Sequence, residues 1–132
     1  MEGRLLLKNC AIFRADGRIR TGMAVLIENV PDILHYSHTN VAEEIVEALS
    51  DLGYVARYSL INSAFHGVPQ MRDRVFIVGY RRELGMPIRF PKATRHLELP
   101  TGYAGTRAVA LRYVNRQGAA GYAIPDLGTP DL

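Results

Sequence analysis

The chain has 132 residues, 48% of them hydrophobic and 22% charged, with a net charge of +3; this is the make-up of one soluble globular domain, not of a disordered or membrane-embedded chain. No apolar run approaches the roughly 20 residues that a membrane helix needs, and Met1-Glu-Gly-Arg-Leu-Leu-Leu-Lys8 has too short an apolar core for a secretory signal, so a cytoplasmic location follows by default. A single cysteine excludes an internal disulfide and any zinc site built on several thiolates of this chain.

Residues 1 to 22 are poorly defined: Arg4-Leu-Leu-Leu-Lys8 suits a strand or a helical turn, and Ala15-Asp-Gly-Arg18 is a turn signal. Met23-Ala-Val-Leu-Ile-Glu-Asn-Val30 is an apolar run ending in an acid and an amide, followed by Pro31-Asp32. Such a run reads as a buried strand of a parallel sheet. Glu28 and Asn29 would then emerge at its carboxyl end, where open α/β sheets hold their ligands. A plain capping pair after a buried strand is the simpler explanation of the same two residues.

Asn40 to Gly53 is the clearest helix. Asn40 can cap it, Glu43 sits where a capping box needs it, and Gly53 supplies a left-handed exit. Val41, Ala42, Ile45, Ala48, Leu49 and Leu52 form its apolar stripe, against Glu43, Glu44, Glu47 and Asp51 on the wet side. Tyr54 to Asn62 mixes β-branched, aromatic and polar residues as a strand near a sheet edge would. The loop Ser63-Ala-Phe-His-Gly-Val-Pro69 leads into Arg74-Val-Phe-Ile-Val-Gly-Tyr80. With no second helix to cross back, these last two strands should pair antiparallel.

Between the loop and the last strand, Gln70, Arg72 and Arg74 recur at every second position. In an extended chain they share one side, and two guanidinium forks beside an amide suit a base carbonyl, a phosphate or a carboxylate. A charged patch solvating a strand end is the alternative. From Gln70 to His96 there are seven Lys and Arg against Asp73 and Glu83, a local excess that either meets a polyanion or simply decorates a basic loop. Beyond Tyr80, prolines and glycines break up any period; Arg107 to Arg116 is the one stretch there with helical character. His35, His38, His66 and His96 have no metal-site spacing and read as surface residues.

Glu28-Asn29-Val30 at a strand end, an intervening helix and strand, Asn62, and then Gly67-Val-Pro-Gln-Met-Arg-Asp-Arg-Val75 resemble the middle motifs of the DNA (cytosine-5)-methyltransferases. The resemblance covers about residues 23 to 91. It implies an α/β fold forming the C-terminal half of a Rossmann-like AdoMet-dependent methyltransferase sheet, followed by an irregular tail. The division it implies is a poorly defined segment 1–22, a partial catalytic domain 23–91, and a segment 92–132 that is irregular or a linker towards a DNA-recognition domain.

In the chemistry the resemblance implies, a thiolate adds to cytosine C6 and loads negative charge onto the ring; an acid at N3 and donors at O2 stabilise that charge. Glu28 would serve N3 and the exocyclic amine, Arg74 would reach O2, and Arg72 would support the pocket. Asn29 and Gln70 would assist in holding the substrate. The cofactor implied is S-adenosyl-L-methionine, and the partner is double-stranded DNA with the target cytosine flipped out. The family's Gly-rich cofactor loop and Pro-Cys loop lie before Glu-Asn-Val, and this chain shows neither. Asn9-Cys-Ala11 lacks the proline, which makes Cys10 a buried or incidental thiol. The chain is therefore expected to be a fragment, or one subunit whose complementary chain carries those motifs, inactive alone, with no metal and no membrane. Two rivals are a non-catalytic remnant that binds DNA or a partner chain through the basic segment, and another α/β enzyme whose arginine row grips a phosphate or carboxylate.

Overall fold

In the computed structural model the described residues are 12, 13, 19, 20, 22–95, 97, 98, 100–103, 107, 110, 114 and 120–123. Two short strands, β1 (Ile12–Phe13) and β2 (Ile19–Arg20), pair antiparallel; the Asp-Gly turn signal and Cys10 lie outside the described residues. The main sheet holds β3 (Ala24–Asn29), β4 (Tyr54–Asn62) and β5 (Asp73–Arg81), in the order β3-β5-β4, with both contacts antiparallel. Helix α1 (Val41–Asp51) connects β3 to β4. β3 and β4 therefore run the same way with β5 threaded between them in reverse.

The antiparallel pairing of β4 and β5 agrees with the sequence. The parallel environment read for β3 does not: its one strand neighbour among the described residues is antiparallel, and its residues alternate between half-buried and exposed, with Leu26 70% exposed. The continuous apolar run that signals burial on both faces here has one face under the helix and the other largely open.

Helix α1 starts because the Asn40 side chain accepts from the N–H groups of Ala42 and Glu43 at 3.1 and 3.4 Å, and it stops where Gly53 takes φ +89°. Ala42, Ile45 and Leu49 are buried; Leu52, assigned to the stripe, is exposed past the helix end. The capping box is only half made. Instead of turning back to Asn40, the Glu43 carboxylate accepts from the Tyr58 hydroxyl at 2.9 Å and from the Gly121 N–H at 3.1 Å. Tyr58 also accepts from Asn40 Nδ2 at 2.9 Å, so one buried phenol ties the helix cap to the sheet.

The two faces of the sheet differ. On one, Tyr58, Leu60, Val75 and Ile77 are buried under Ile45 and Leu49 of α1, with Ala110 and Val114 in the same cluster. Tyr103, Arg107, Ala110 and Val114 take helical backbone, and the last three are buried. Their spacing is that of one helix face, in keeping with the helical character read for Arg107 to Arg116. The tail also returns at Gly121 to Ala123, where Tyr58 N–H donates to Gly121 O and Ala123 N–H to Tyr58 O, a parallel bridge on the outer edge of β4. On the other face a smaller cluster of Ile61, Phe90 and Ala123 with Phe76, Val78 and Ile88 leaves part of the sheet uncovered.

Candidate functional site

Alternation along the strands decides which side chains meet. Glu28 lies opposite Phe76 in the β3–β5 register, and Ile61 lies opposite Arg74 in the β4–β5 register. Leu26 and Glu28 of β3, Arg74, Phe76 and Val78 of β5, and Ile61 of β4 therefore share the half-open face. They line a cleft of about 430 Å³. Its far wall is Arg89, Phe90 and Pro91, brought round because Phe65 O accepts from the N–H groups of Thr94 and Arg95 at 2.8 and 2.9 Å.

At the mouth, Arg74 Nε stands 3.0 Å from Glu28 Oε1. Arg74 Nη1 donates to its neighbour's carbonyl, Asp73 O, at 2.7 Å. The guanidinium is thus held at two of its nitrogens, and Nη2 has no partner among the described residues. Arg72 lines the same cleft, is exposed and makes no side-chain ion pair among the described residues. Its place is set by the loop 63–72: Ser63 N–H donates to Arg72 O at 3.0 Å, and Ser63 Oγ donates to Gln70 O at 2.5 Å. Gly67 makes the reversal possible, with φ +86° and open space around its Cα.

Of the residues singled out in the sequence, the fold unites Glu28, Arg72 and Arg74. Gln70 is exposed outside the cleft, because the strand begins only at Asp73 and the three-residue row is not continuous. Asn29 points to the opposite side of β3 from Glu28, its Oδ1 accepting from Val30 N–H at 2.8 Å, a local brace at the strand end. His66, read as a surface loop residue, lines the cleft, as do Val68 and Arg89; only the return of residues 86–95 makes that visible. Asn62, fully buried, accepts from Ala64 N–H at 3.0 Å, capping the turn 63–66, and donates to the Tyr103 hydroxyl at 3.0 Å. Burial first, and the nearby Asp73 carboxylate second, raise the Tyr103 phenol above its ordinary range.

The arrangement suits a flat, polar-edged ring. An apolar floor of Phe76, Val78 and Ile61 meets a carboxylate acceptor and guanidinium donors on one rim, so acceptors and donors along one edge of a planar heterocycle could be matched together. The same chemistry does not fit S-adenosyl-L-methionine. The cleft's rim carries Arg72, Arg74 and Arg89, which repel a sulfonium, and its one carboxylate, Glu28, is already held by Arg74.

A small α/β unit with an arginine–carboxylate pair at the open end of its sheet is the class that fold and site define. The family described as C-5 cytosine-specific DNA methylase matches residues 18–116. The chain belongs to that family. Among its relatives, the type II methyltransferase M.MthTI of Methanothermobacter thermautotrophicus is 45% identical over 67 residues, 51% of this chain and 20% of the relative. M.HgiCII of Herpetosiphon aurantiacus is 38% identical over 76 residues, 57% of this chain and 17% of the relative. M.BsuFI of Bacillus subtilis is 30% identical over 99 residues, 67% and 24% of the two chains. The chain thus spans about a fifth of the length of the curated relatives it matches.

Proposed function

We propose that these residues supply the base-holding part of a DNA cytosine-5 methyltransferase and work with segments outside them that bring the methyl donor and the nucleophile. The Glu28–Arg74 pair at 3.0 Å carries the reading. A cytosine flipped out of duplex DNA would lie on the apolar floor with its N3 and exocyclic amine at Glu28 and its O2 at Arg74, whose Nη2 is the donor left over. When a nucleophile adds at C6, the negative charge thrown onto the ring is relieved at N3 by a proton that Glu28, acting as the acid, donates there, and at O2 by the Arg74 guanidinium; both groups are already oriented, so little reorganisation is needed. Arg72 adds positive potential at the same rim. Gln70 and Asn29 act indirectly on this reading, Gln70 through the loop that carries Arg72 and Asn29 through the strand end that carries Glu28.

The three strands would form one end of a larger Rossmann-like sheet. Two observations support this: β3 and β4 run the same way about α1, and the outer edge of β3 has no strand partner among the described residues while that of β4 is bridged by Tyr122. On this reading residues 23–91 are the partial catalytic domain. S-adenosyl-L-methionine, which supplies an electrophilic methyl group when bound, would be held outside this cleft.

A chimera tests the site. The stretch of M.MthTI that aligns with this chain is exchanged for the chain's own 67 residues, and transfer of a labelled methyl group to DNA is measured. The chimera should be active, with Glu28→Gln slowing turnover by at least about a hundredfold, the loss expected when a charge-stabilising group is removed. Turnover unchanged in Glu28→Gln would end the assignment, and methyl transfer by the isolated chain would end the claim that it needs a complement. The rival, a remnant that only binds DNA, draws on the exposed Arg72 and Arg89 at the rim. It requires binding that falls steeply with salt and ignores Glu28→Gln.

A further inference from the structure

Arg107 lies on the helical stretch beyond the basic segment, remote in sequence from Glu28 and Arg74, yet its side chain is only 3% exposed. It crosses the end of the sheet on the helix-covered face. Nη1 makes an ion pair with Asp73 Oδ1, Nη2 donates to Leu60 O at 3.5 Å, and the guanidinium lies 5.7 Å over the Phe65 ring. One turn earlier, Tyr103 accepts from Asn62, the residue opposite Asp73 in the β4–β5 register. Two side chains of one helix face thus grip the place where β4 ends and β5 begins.

Asp73 is the middle residue of Arg72-Asp73-Arg74, and its two polar ends face different partners. Its carboxylate is held by Arg107; its carbonyl is held by Arg74 Nη1 at 2.7 Å, and Arg74 Nε in turn meets Glu28 at 3.0 Å. The contacts form an unbroken line from the helix-covered face, through one peptide unit, to the mouth of the cleft. A buried ion pair is a poor source of net stability, because removing both charges from water offsets most of their attraction. A fixed geometry is what it does supply. Arg107 also keeps a buried Nε with no partner among the described residues.

We infer that Arg107 is a positioning residue for the base-holding pair: by fixing Asp73 it sets the carbonyl that orients Arg74, and through Arg74 it sets Glu28. Without it the Asp73 carboxylate is left to Tyr103 and solvent, the first peptide of β5 tilts, and a shift of about 1 Å is enough to break a 2.7 Å hydrogen bond. The functional meaning rests on the base-holding reading of Glu28 and Arg74; the geometry does not.

The test reads that geometry directly, in the isolated chain and with no DNA. The Arg74 Nε–H resonance of nitrogen-15-labelled protein is assigned by its disappearance in Arg74→Lys, and its exchange with solvent is followed. Glu28→Ala calibrates the signal by removing the acceptor. Arg107→Met should accelerate exchange at Arg74 Nε–H at least tenfold, with the backbone resonances of β4 and β5 still in place. Tyr58→Phe, which weakens the fold away from the cleft, should leave the signal unchanged. If Arg107→Met does not fold, the charge-free double variant Asp73→Asn/Arg107→Met gives the same reading, since no lone carboxylate is left behind. An unchanged Arg74 signal in a folded variant lacking Arg107 would overturn the inference, as would equal acceleration in Tyr58→Phe. Because no step involves DNA or methyl transfer, an inactive chimera and a failed coupling are separate results.

Discussion

Replacing Tyr58 with phenylalanine removes one oxygen from the most connected point of the helix-covered core. The ring stays fully buried; what is lost is the acceptor for Asn40 Nδ2 and the donor to Glu43 Oε1, each at 2.9 Å. Glu43 keeps Gly121 N–H, whereas the Asn40 amide, itself buried, keeps only the acceptor contacts of its oxygen. One neutral hydrogen bond and one to a carboxylate, less what relaxation recovers, come to about 2–3 kcal/mol. For a chain of this length that corresponds to a fall in Tm of about 7–11 °C, read by circular dichroism at neutral pH.

The same substitution has a pH signature. Burial pushes the Tyr58 phenol well above its ordinary value of 10.0; the Asn40 hydrogen bond opposes it, and the hydrogen bond and charge of Glu43 add to it. A folded-state value raised above the unfolded one means the folded protein holds that proton more tightly. The contribution is therefore complete below pH 10 and is lost as pH rises through the raised value. Tyr103 and Tyr122 are raised too, Tyr122 chiefly by burial, and they act alike in both proteins. The gap in Tm between wild type and Tyr58→Phe should thus narrow above pH 10. A gap below about 2 °C at neutral pH, or one that does not narrow in alkali, would refute the reasoning.

Glycines give a paired prediction. A Cβ at Gly121 would sit 3.0 Å from Val46 Cγ1 and 3.2 Å from Glu43 Oε2, so Gly121→Ala should undock residues 120–123 and cost about 1–3 kcal/mol in denaturant unfolding. At Gly79 the nearest atom is Ala56 Cβ at 3.5 Å, and Gly79→Ala should be neutral or slightly stabilising, by up to about 0.5 kcal/mol. Arg74→Ala breaks an ion pair whose side chains are 22% and 50% exposed; solvent screening holds the stability change below about 1 kcal/mol, while turnover of the chimera should fall by two orders of magnitude or more. Leu26→Lys, at a position 70% exposed on the outer strand, should change stability by less than about 0.5 kcal/mol and reduce self-association in sedimentation.

The parts of the fold legible in the sequence are those whose causes are local. Asn40, the apolar repeat from Ala42 to Leu49 and the left-handed Gly53 are sufficient to specify α1, and the run from Val75 to Gly79 is sufficient for β5. Lateral order is not local. Nothing between Ala24 and Asn29 says that β5 will lie beside it in reverse, which is why an apolar run read as a doubly buried strand has an antiparallel neighbour and, among the described residues, an open outer edge. Glu43 shows a different limit, since its capping-box spacing is genuine but Tyr58 and Gly121 compete successfully for the carboxylate. The union of Glu28 with Arg74 was readable through paired motifs, whose meaning comes from a family. Arg107 carried no such mark. Its only signal is an i, i+3, i+7 relation with Ala110 and Val114 that becomes visible once all three are seen buried.

The central strand of this sheet is the last of its three to leave the ribosome. β3 and β4 flank β5 and do not pair with each other, so during synthesis neither has β5 beside it until residues 73–81 are made. The β3–β5 pairing, which brings Asn29 to Val75, is non-local, and such pairings fold slowly and expose apolar edges meanwhile. The pocket obeys the same timetable: Glu28 is made early, but it becomes half of a site only when β5 threads the gap and delivers Arg74. Any delay between those two events is a period in which Leu26 and its neighbours are open to whatever strand arrives first.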